Sequence, residues 1–145
     1  MLAKLLDWFE APQQAPVELS ADEAATVLMV EIMLADQELD EREADLIAER
    51  LVIRTGDDKA TATALVKKAQ QNHNESPDLY PFTRVINDRF NEDEKYDLIV
   101  DLWRTALADN NIDKLEEHMI RRIADMLYLH HSHFIQAKLE AQQES

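Results

Sequence analysis

Residues 35–43 read Ala-Asp-Gln-Glu-Leu-Asp-Glu-Arg-Glu, and residues 108–116 read Ala-Asp-Asn-Asn-Ile-Asp-Lys-Leu-Glu. Both stretches fit one pattern, A-D-x-x-[LI]-D-x-x-E, and they lie 73 positions apart. Each follows an apolar stretch with helical spacing and precedes another such stretch. The pattern therefore indicates a helix–loop–helix unit that occurs twice, and it predicts an internally duplicated helical protein.

The composition and the helix-start signals predict an all-α fold. The chain has 145 residues with one Gly and four Pro, which leaves little material for hairpin turns. A capping residue stands three positions before a Glu at Ser20, Asp40, Asn91 and Asp113. Gly56 is predicted to follow the third helix in a left-handed conformation. We predict about seven to eight helices, at about 2–10, 20–36, 40–54, 57–72, 79–90, 91–109, 113–129 and 132–142.

We predict a single helical domain preceded by a short extension. Residues 1–19 are expected to form an amphipathic helix and a linker, and residues 20–142 the domain, with repeat halves at about 20–72 and 79–142. Because each half alone would leave an apolar stripe in water, the halves are expected to pack together. The predicted core positions are Leu28, Ile32, Ala35, Leu39, Leu46, Ile47 and Leu51, then Leu98, Leu102, Trp103, Ala106, Ile112, Met119, Ile120 and Ile123.

The formal net charge of −15 indicates which partners the chain can have. An acidic surface repels nucleic acid, because nucleic-acid binding depends on neutralising phosphates, and it attracts cations or basic proteins. The chain has no Cys, no leader-like N-terminal segment, and no apolar run near the ~20 residues that span a bilayer. We therefore expect a cytoplasmic protein that binds neither nucleic acid nor membrane and whose protein partner is basic.

Residues 1–10 have an apolar helical face that is expected to be buried against another surface. The polar side of this helix sets Lys4 against Asp7 and Glu10, so it lacks the basic character that attracts anionic lipids. Packing on the protein's own core, or on the second copy in a homodimer, is therefore favoured over a membrane. The apolar face consists of Leu2, Leu5, Leu6 and Phe9.

The acids of the repeated pattern have two explanations. Asp40 and Asp113 can serve simply as helix N-caps. Asp36 and Asp109 need another explanation, because each is predicted at a helix C-terminus, where the dipole makes an acid unfavourable by a few tenths to about 1 kcal/mol. A divalent cation bound by acids from both sides of the loop would offset that cost. Oxygen ligands favour calcium, magnesium or manganese.

The two loops and four further runs, at 82–87, 102–103, 123–128 and 134–139, resemble the TerB-like (tellurite-resistance protein B-like) family, in particular its uncharacterised bacterial branch. The resemblance spans about residues 20–140. It implies a duplicated all-α fold with acidic metal-binding loops, and an association with tellurite resistance or the stress response. The metal ligands that it implies are Asp36, Asp40 and Glu43 in one half and Asp109, Asp113 and Glu116 in the other.

Other motifs argue against catalysis. His118, His130, His131 and His133 have spacings that can bind zinc, but no Cys assists them. Ser132 is predicted to cap a helix there, so a solvent-exposed turn is favoured over a metal site. The sequence has no Gly-rich phosphate loop, no G-x-S-x-G and no H-E-x-x-H. We therefore do not expect an enzyme.

These observations predict a non-enzymatic acidic helical module that binds divalent metal at two helix–loop–helix sites. The alternative is a protein-interaction scaffold without metal, in which the carboxylates only cap helices and an exposed apolar or acidic surface binds a basic partner. A hydrolase that uses metal at the same loops is a third, less favoured hypothesis.

Overall fold

A computed structural model describes residues 2–10, 20–35, 41–71, 78–107 and 114–143, apart from the side chains of residues 7–10 and 43. These ranges contain eight α-helices and no β-strand, which confirms the all-α prediction. Each helix lies within a few residues of its predicted position. The helices are α1 (Leu2–Glu10), α2 (Ala21–Met33), α3 (Glu41–Thr55), α4 (Lys59–Gln71), α5 (Tyr80–Arg89), α6 (Glu92–Leu107), α7 (Lys114–Met126) and α8 (His131–Gln143).

Two predicted capping boxes are present at helix starts. At the start of α2, the Glu23 N–H donates to Ser20 Oγ at 3.1 Å, and the Ser20 N–H donates to Glu23 Oε1 at 2.8 Å. At the start of α6, the Glu94 N–H donates to Asn91 Oδ1 at 2.9 Å, and the Asn91 N–H donates to Glu94 Oε1 at 3.0 Å. Both pairs satisfy backbone N–H groups that have no partner within the helix.

Left-handed residues end α3 and α7. Gly56 follows α3 with φ of +75°, as predicted. Tyr128 follows α7 with φ of +61°, where its N–H donates to the Asp125 carbonyl at 3.1 Å. The Leu129 N–H donates to the Ala124 carbonyl, also at 3.1 Å, which completes a Schellman motif. A residue with a Cβ in this conformation costs about 1 kcal/mol relative to Gly.

The start of α8 differs from the prediction. His130, not Ser132, caps this helix, because the Ser132 N–H donates to His130 Nδ1 at 3.1 Å. The same ring nitrogen lies 2.8 Å from Ser132 Oγ. The predicted cap is wrong because imidazole Nδ1 lies as many bonds from its Cα as the Oδ1 of an Asn, so His130 can accept from the first turn as an Asn would.

The helices group into two compact units. The first unit contains α1, α3 and α4, with α4 packed against both others. Leu2 and Leu5 of α1 are buried, and the Leu2 N–H donates to Asp57 Oδ2 at 3.0 Å. This bond is the main reason that the pKa of Asp57 is lowered. The N-terminal helix thus packs on the protein's own helices, one of the two arrangements that the sequence favoured.

The second unit contains α2, α5, α6, α7 and α8. In this unit α2 packs against α5, α6 and α7, and α8 packs against α6 and α7. Trp103 of α6 is fully buried, and its ring centroid lies 5.2 Å from that of Phe134 in α8. Helix α2 thus belongs to a different unit from α3 and α4. The duplication into halves at 20–72 and 79–142 stays a prediction.

Most predicted core positions are buried, with one correction. Leu46 is 48% exposed, although it was predicted to lie in the core. Its neighbours Ile47, Ala48 and Leu51 define the buried face of α3, and Leu46 lies about 100° around the helix from Ile47. Leu39 and Ile112 lie outside the described residues. The confirmed core positions are Leu28, Ile32, Ala35, Ile47, Leu51, Leu98, Leu102, Trp103, Ala106, Met119, Ile120 and Ile123.

Candidate functional site

Helices flank both acidic loops. The first loop follows α2, whose C-cap is Leu34, and precedes α3, which begins at Glu41. The second loop lies between Leu107 at the end of α6 and Lys114 at the start of α7. The helices that follow the loops therefore begin 73 positions apart, the same distance that separates the two copies of the pattern.

The predicted metal ligands are only partly within the described residues. Glu43 is the third residue of α3, and Glu116 is the third residue of α7. A carboxylate in a first turn faces the positive end of the helix dipole. The Glu116 side chain is half-buried. The ligands that lie outside the described residues are Asp36, Asp40, Asp109 and Asp113. Two of these, Asp40 and Asp113, are also the predicted N-caps.

The part of the chain that the structure describes contains no group of three or more His, Asp or Glu side chains that could hold a metal ion. Four of the six predicted ligands lie outside that part. The neighbouring acid Glu117 has another role, since it accepts a hydrogen bond from Lys138 Nζ of α8 at 3.2 Å. Glu116 is the candidate ligand that the repeated pattern places in the first turn of α7.

Glu31, in the last turn of α2, is a residue that the sequence interpretation missed. Its Oε2 atom is buried and has no hydrogen-bond partner among the described residues. Burial raises the pKa of Glu31 from its ordinary value of 4.5 to about 7. The sequence does contain a signal for this residue, because Glu31 is the only charged residue between Ala24 and Ala35. An acid in such an apolar segment is expected to be buried or to have a specific partner.

The donor chemistry of the loops fits a hard divalent cation. Every predicted ligand is a carboxylate, and the chain offers no thiolate to select a softer metal. The buried oxygen of Glu31 lies on α2, the helix that precedes the first loop in the chain. The residues present are therefore compatible with the ion that the resemblance implies.

A cleft of about 350 Å³ lies between α3 and α4. At its edge, Asp45 pairs with Lys59 Nζ at 3.0 Å, and Glu49 accepts a hydrogen bond from the same ammonium group at 3.3 Å. These partners, Asp45 first, raise the pKa of Lys59. The cleft shows no nucleophile with an adjacent base among the described residues. It is lined by Glu41, Ala44, Asp45, Thr63, Val66, Lys67 and Gln70.

The histidines at the start of α8 are exposed, but the predicted turn is shorter than expected, because His131 and Ser132 already belong to the helix. His130 and His133 are exposed, with ring centroids 6.4 Å apart. The ring of His133 also meets the edge of Tyr96 at 6.2 Å. His131 stacks on Phe134 at 5.8 Å. Each ring therefore has a structural contact at this corner of the second unit.

Comparison with known proteins identifies one family. The family model described as Tellurite resistance protein TerB matches residues 22–139, which span the chain from the start of α2 into α8 and include both acidic loops. No curated protein and no solved structure matches the chain. Among the helices that the structure describes, none has the length and apolar character that crossing a membrane requires.

Proposed function

The chain belongs to the TerB family, and on that premise we propose that it is a non-enzymatic acidic module that binds divalent cations at its two acidic loops. Bound there, calcium, magnesium or manganese would neutralise the clustered carboxylates. We propose a cytoplasmic setting in tellurite resistance, in line with the family's description, or in the stress response. The residues that would hold the ions are Asp36, Asp40 and Glu43, and Asp109, Asp113 and Glu116.

The main support comes from the second loop. Helices α6 and α7 pack against each other within one compact unit, so the six-residue segment 108–113 joins two helices that are in contact. Asp109 and Asp113 belong to that segment, and Glu116 follows in the first turn of α7. Acids from both sides of a short loop can converge on one ion, whose remaining coordination positions would be filled by water.

Glu31 supports the proposal at the first loop. Its Oε2 atom is buried in the last turn of α2, where the helix dipole adds to the cost of a negative charge. A cation bound next to this carboxylate would offset both costs. The pKa of Glu31, raised by burial to about 7, would then fall when the ion binds.

A protein-interaction scaffold without metal is the second candidate function, and the surface of α3 favours it. Glu41, Asp45 and Glu49 are exposed along this helix at intervals of one turn. Ile53, one turn further on, is 84% exposed. Acids next to an exposed apolar side chain would suit a basic, amphipathic partner.

One experiment separates the two functions. Asp40→Asn with Asp113→Asn keeps a capping residue at both positions, because Asn caps helices as well as Asp does, but replaces a carboxylate ligand with an amide. Thermal unfolding is measured in chelator and with millimolar calcium, magnesium or manganese. We expect the parent to be stabilised by at least one ion, as binding to the folded state requires, and the variant to lose that stabilisation.

The control pair is Asp88→Asn with Asp125→Asn, which removes the same charge from two exposed positions. This pair should respond to the ions as the parent does. A parent chain that gains no stability from any of the three ions would disprove the metal proposal and leave the interaction scaffold.

A further inference from the structure

His130 is the N-cap of α8, and its imidazole has to be neutral to fill that role. Its Nδ1 atom accepts a hydrogen bond from the N–H of Ser132, the second residue of the helix, at 3.1 Å. Only the neutral tautomer with its proton on Nε2 has a free lone pair on Nδ1. The hydroxyl of Ser132, whose Oγ lies 2.8 Å from Nδ1, can donate to the same lone pair. The neutral ring therefore serves both donors of one residue.

A proton on Nδ1 would reverse the polarity of this contact. The protonated imidazole is a donor at both nitrogens, so the Ser132 N–H would lose its acceptor and face another N–H. The new N–H could donate to Ser132 Oγ, but that bond leaves the backbone N–H unsatisfied. The positive charge would also stand at the N-terminal end of α8, where the helix dipole disfavours a cation.

The groups next to the start of α8 would add positive charge in acid. His133 lies 6.4 Å from His130 between ring centroids, and imidazoles change charge in the same pH range. His131 stacks on the Phe134 ring at 5.8 Å, and Arg121 of α7 lies 5.4 Å from the same ring. Protonation of His130 would therefore bring one more positive charge to a corner that already holds a guanidinium group and two imidazoles.

The charged groups that α6 and α7 direct towards α8 have partners of their own. Lys95 of α6 donates to a carbonyl in the turn between α7 and α8 at 3.3 Å. Glu117 of α7 pairs with Lys138, and Glu140 accepts from the hydroxyl of Tyr96. Burial, together with this bond, raises the pKa of Tyr96 to about 12, so the phenol stays neutral. Glu140 follows the cap by ten residues, about 15 Å along the helix, which exceeds the screening length of about 8 Å.

We propose that His130 is a proton-sensitive cap, which holds the start of α8 at neutral pH and releases it near about pH 5. The release would reach the core of the second unit, because Phe134 follows the cap by only four residues and contacts Trp103 of α6, with ring centroids 5.2 Å apart. This device depends on the packing of α8 and is independent of the acidic loops.

Urea unfolding of the parent and of His130→Asn in chelator, at pH 8 and at pH 5, tests the proposal. Asn caps a helix as the neutral imidazole does, but it takes up no proton. The unfolded parent chain binds a proton at His130 without losing a cap, so acid should favour its unfolding. The unfolding equilibrium constant of the parent, divided by that of His130→Asn, should be about threefold to tenfold larger at pH 5 than at pH 8. Because Glu31 is present in both proteins, its own titration cancels in this ratio.

The matched control is His118→Asn, the same substitution at an exposed histidine of α7. The ratio of the parent to this variant should be the same at both pH values. A ratio for His130→Asn that does not change with pH, or that changes no more than the ratio for His118→Asn, overturns the proposal.

Nitrogen NMR of the labelled chain tests the cap geometry independently. The ring signals of His130 are identified by their absence from the spectrum of His130→Asn. At pH 8 their chemical shifts should show the proton on Nε2 and a lone pair on Nδ1, as the bond from the Ser132 N–H requires. A ring that carries its proton on Nδ1 at pH 8 would contradict the proposed cap.

Discussion

Trp103 of α6 and Phe134 of α8 are in direct contact, with ring centroids 5.2 Å apart and ring planes inclined by 48°. Both side chains are almost completely buried. The contact continues on either side, since Arg121 lies 5.4 Å from the Phe134 ring and Lys138 lies 5.3 Å from the Trp103 ring. These aromatic and cation–π contacts join α6, α7 and α8 in the second unit.

Removing the Phe134 ring should therefore destabilise the protein strongly. Phe134→Ala is expected to lower the free energy of unfolding by about 3–5 kcal/mol, as large-to-small changes at buried aromatic positions do. The neighbouring Ile135→Ala, at a position 39% exposed, should cost much less. Urea unfolding followed by tryptophan fluorescence measures both, and equal losses would contradict the assigned packing.

A residue with a Cβ at position 128 should make the protein less stable than Gly would, because this position is left-handed. We expect Tyr128→Gly to be more stable than Tyr128→Ala by about 1 kcal/mol, because only Gly adopts a φ of +61° without a steric cost. Both variants lose the contact between the Tyr128 ring and Lys95, so their difference reports the backbone alone. Chemical unfolding of the two proteins checks this, and equal stabilities would argue against a left-handed residue after α7.

Glu31 should make stability depend on pH. Burial raises its pKa from 4.5 to about 7, so between these values the folded protein holds a proton that the unfolded chain has released. The stability that the protonated Glu31 carboxyl group contributes is fully present below about pH 4.5, and it is lost as the pH rises towards and through 7. The free energy of unfolding of Glu31→Gln should therefore be higher than that of the parent, by at most about 3 kcal/mol near pH 8. The difference should be smallest near pH 4.5.

Urea unfolding of the parent and of Glu31→Gln at several pH values in chelator measures this difference. Asp88→Asn, at an exposed position, is the control for the loss of one carboxylate, and its stability should change with pH as that of the parent does. A difference between Glu31→Gln and the parent that stays constant from pH 4.5 to 8 would rule out the buried carboxylate as its cause.

Asp36 and Asp109 should destabilise the metal-free protein. Each follows a helix C-terminus in the chain, where an acid is unfavourable to the helix dipole. Asp36→Asn with Asp109→Asn is expected to raise the melting temperature in chelator, by the equivalent of a few tenths to about 1 kcal/mol, and to weaken metal binding in calorimetric titration. A fall in stability in chelator would instead mean that these acids hold the loops together.

Local sequence was sufficient to predict the helices and several of their ends. The partners of Ser20 and Asn91 stand three residues further along the chain, so the bonds follow from the order of residues alone. Gly56 likewise adopts a conformation that is a property of its own backbone. The acidic pattern and its repeat also predicted the family, which the match over residues 22–139 confirmed.

The tertiary structure alone decided which faces of these helices are buried. Leu46 and Ile47 are adjacent and both apolar, yet one is 48% exposed and the other 7% exposed, because packing in the first unit buries the side of α3 that carries Ile47. Burial of Glu31, pairing of Lys138 with Glu117, and exposure of Leu139 depend in the same way on helices that are distant in the chain. Helix formation is governed by neighbours within about one turn, whereas burial and ion pairing are set by packing between helices, which a local pattern does not encode.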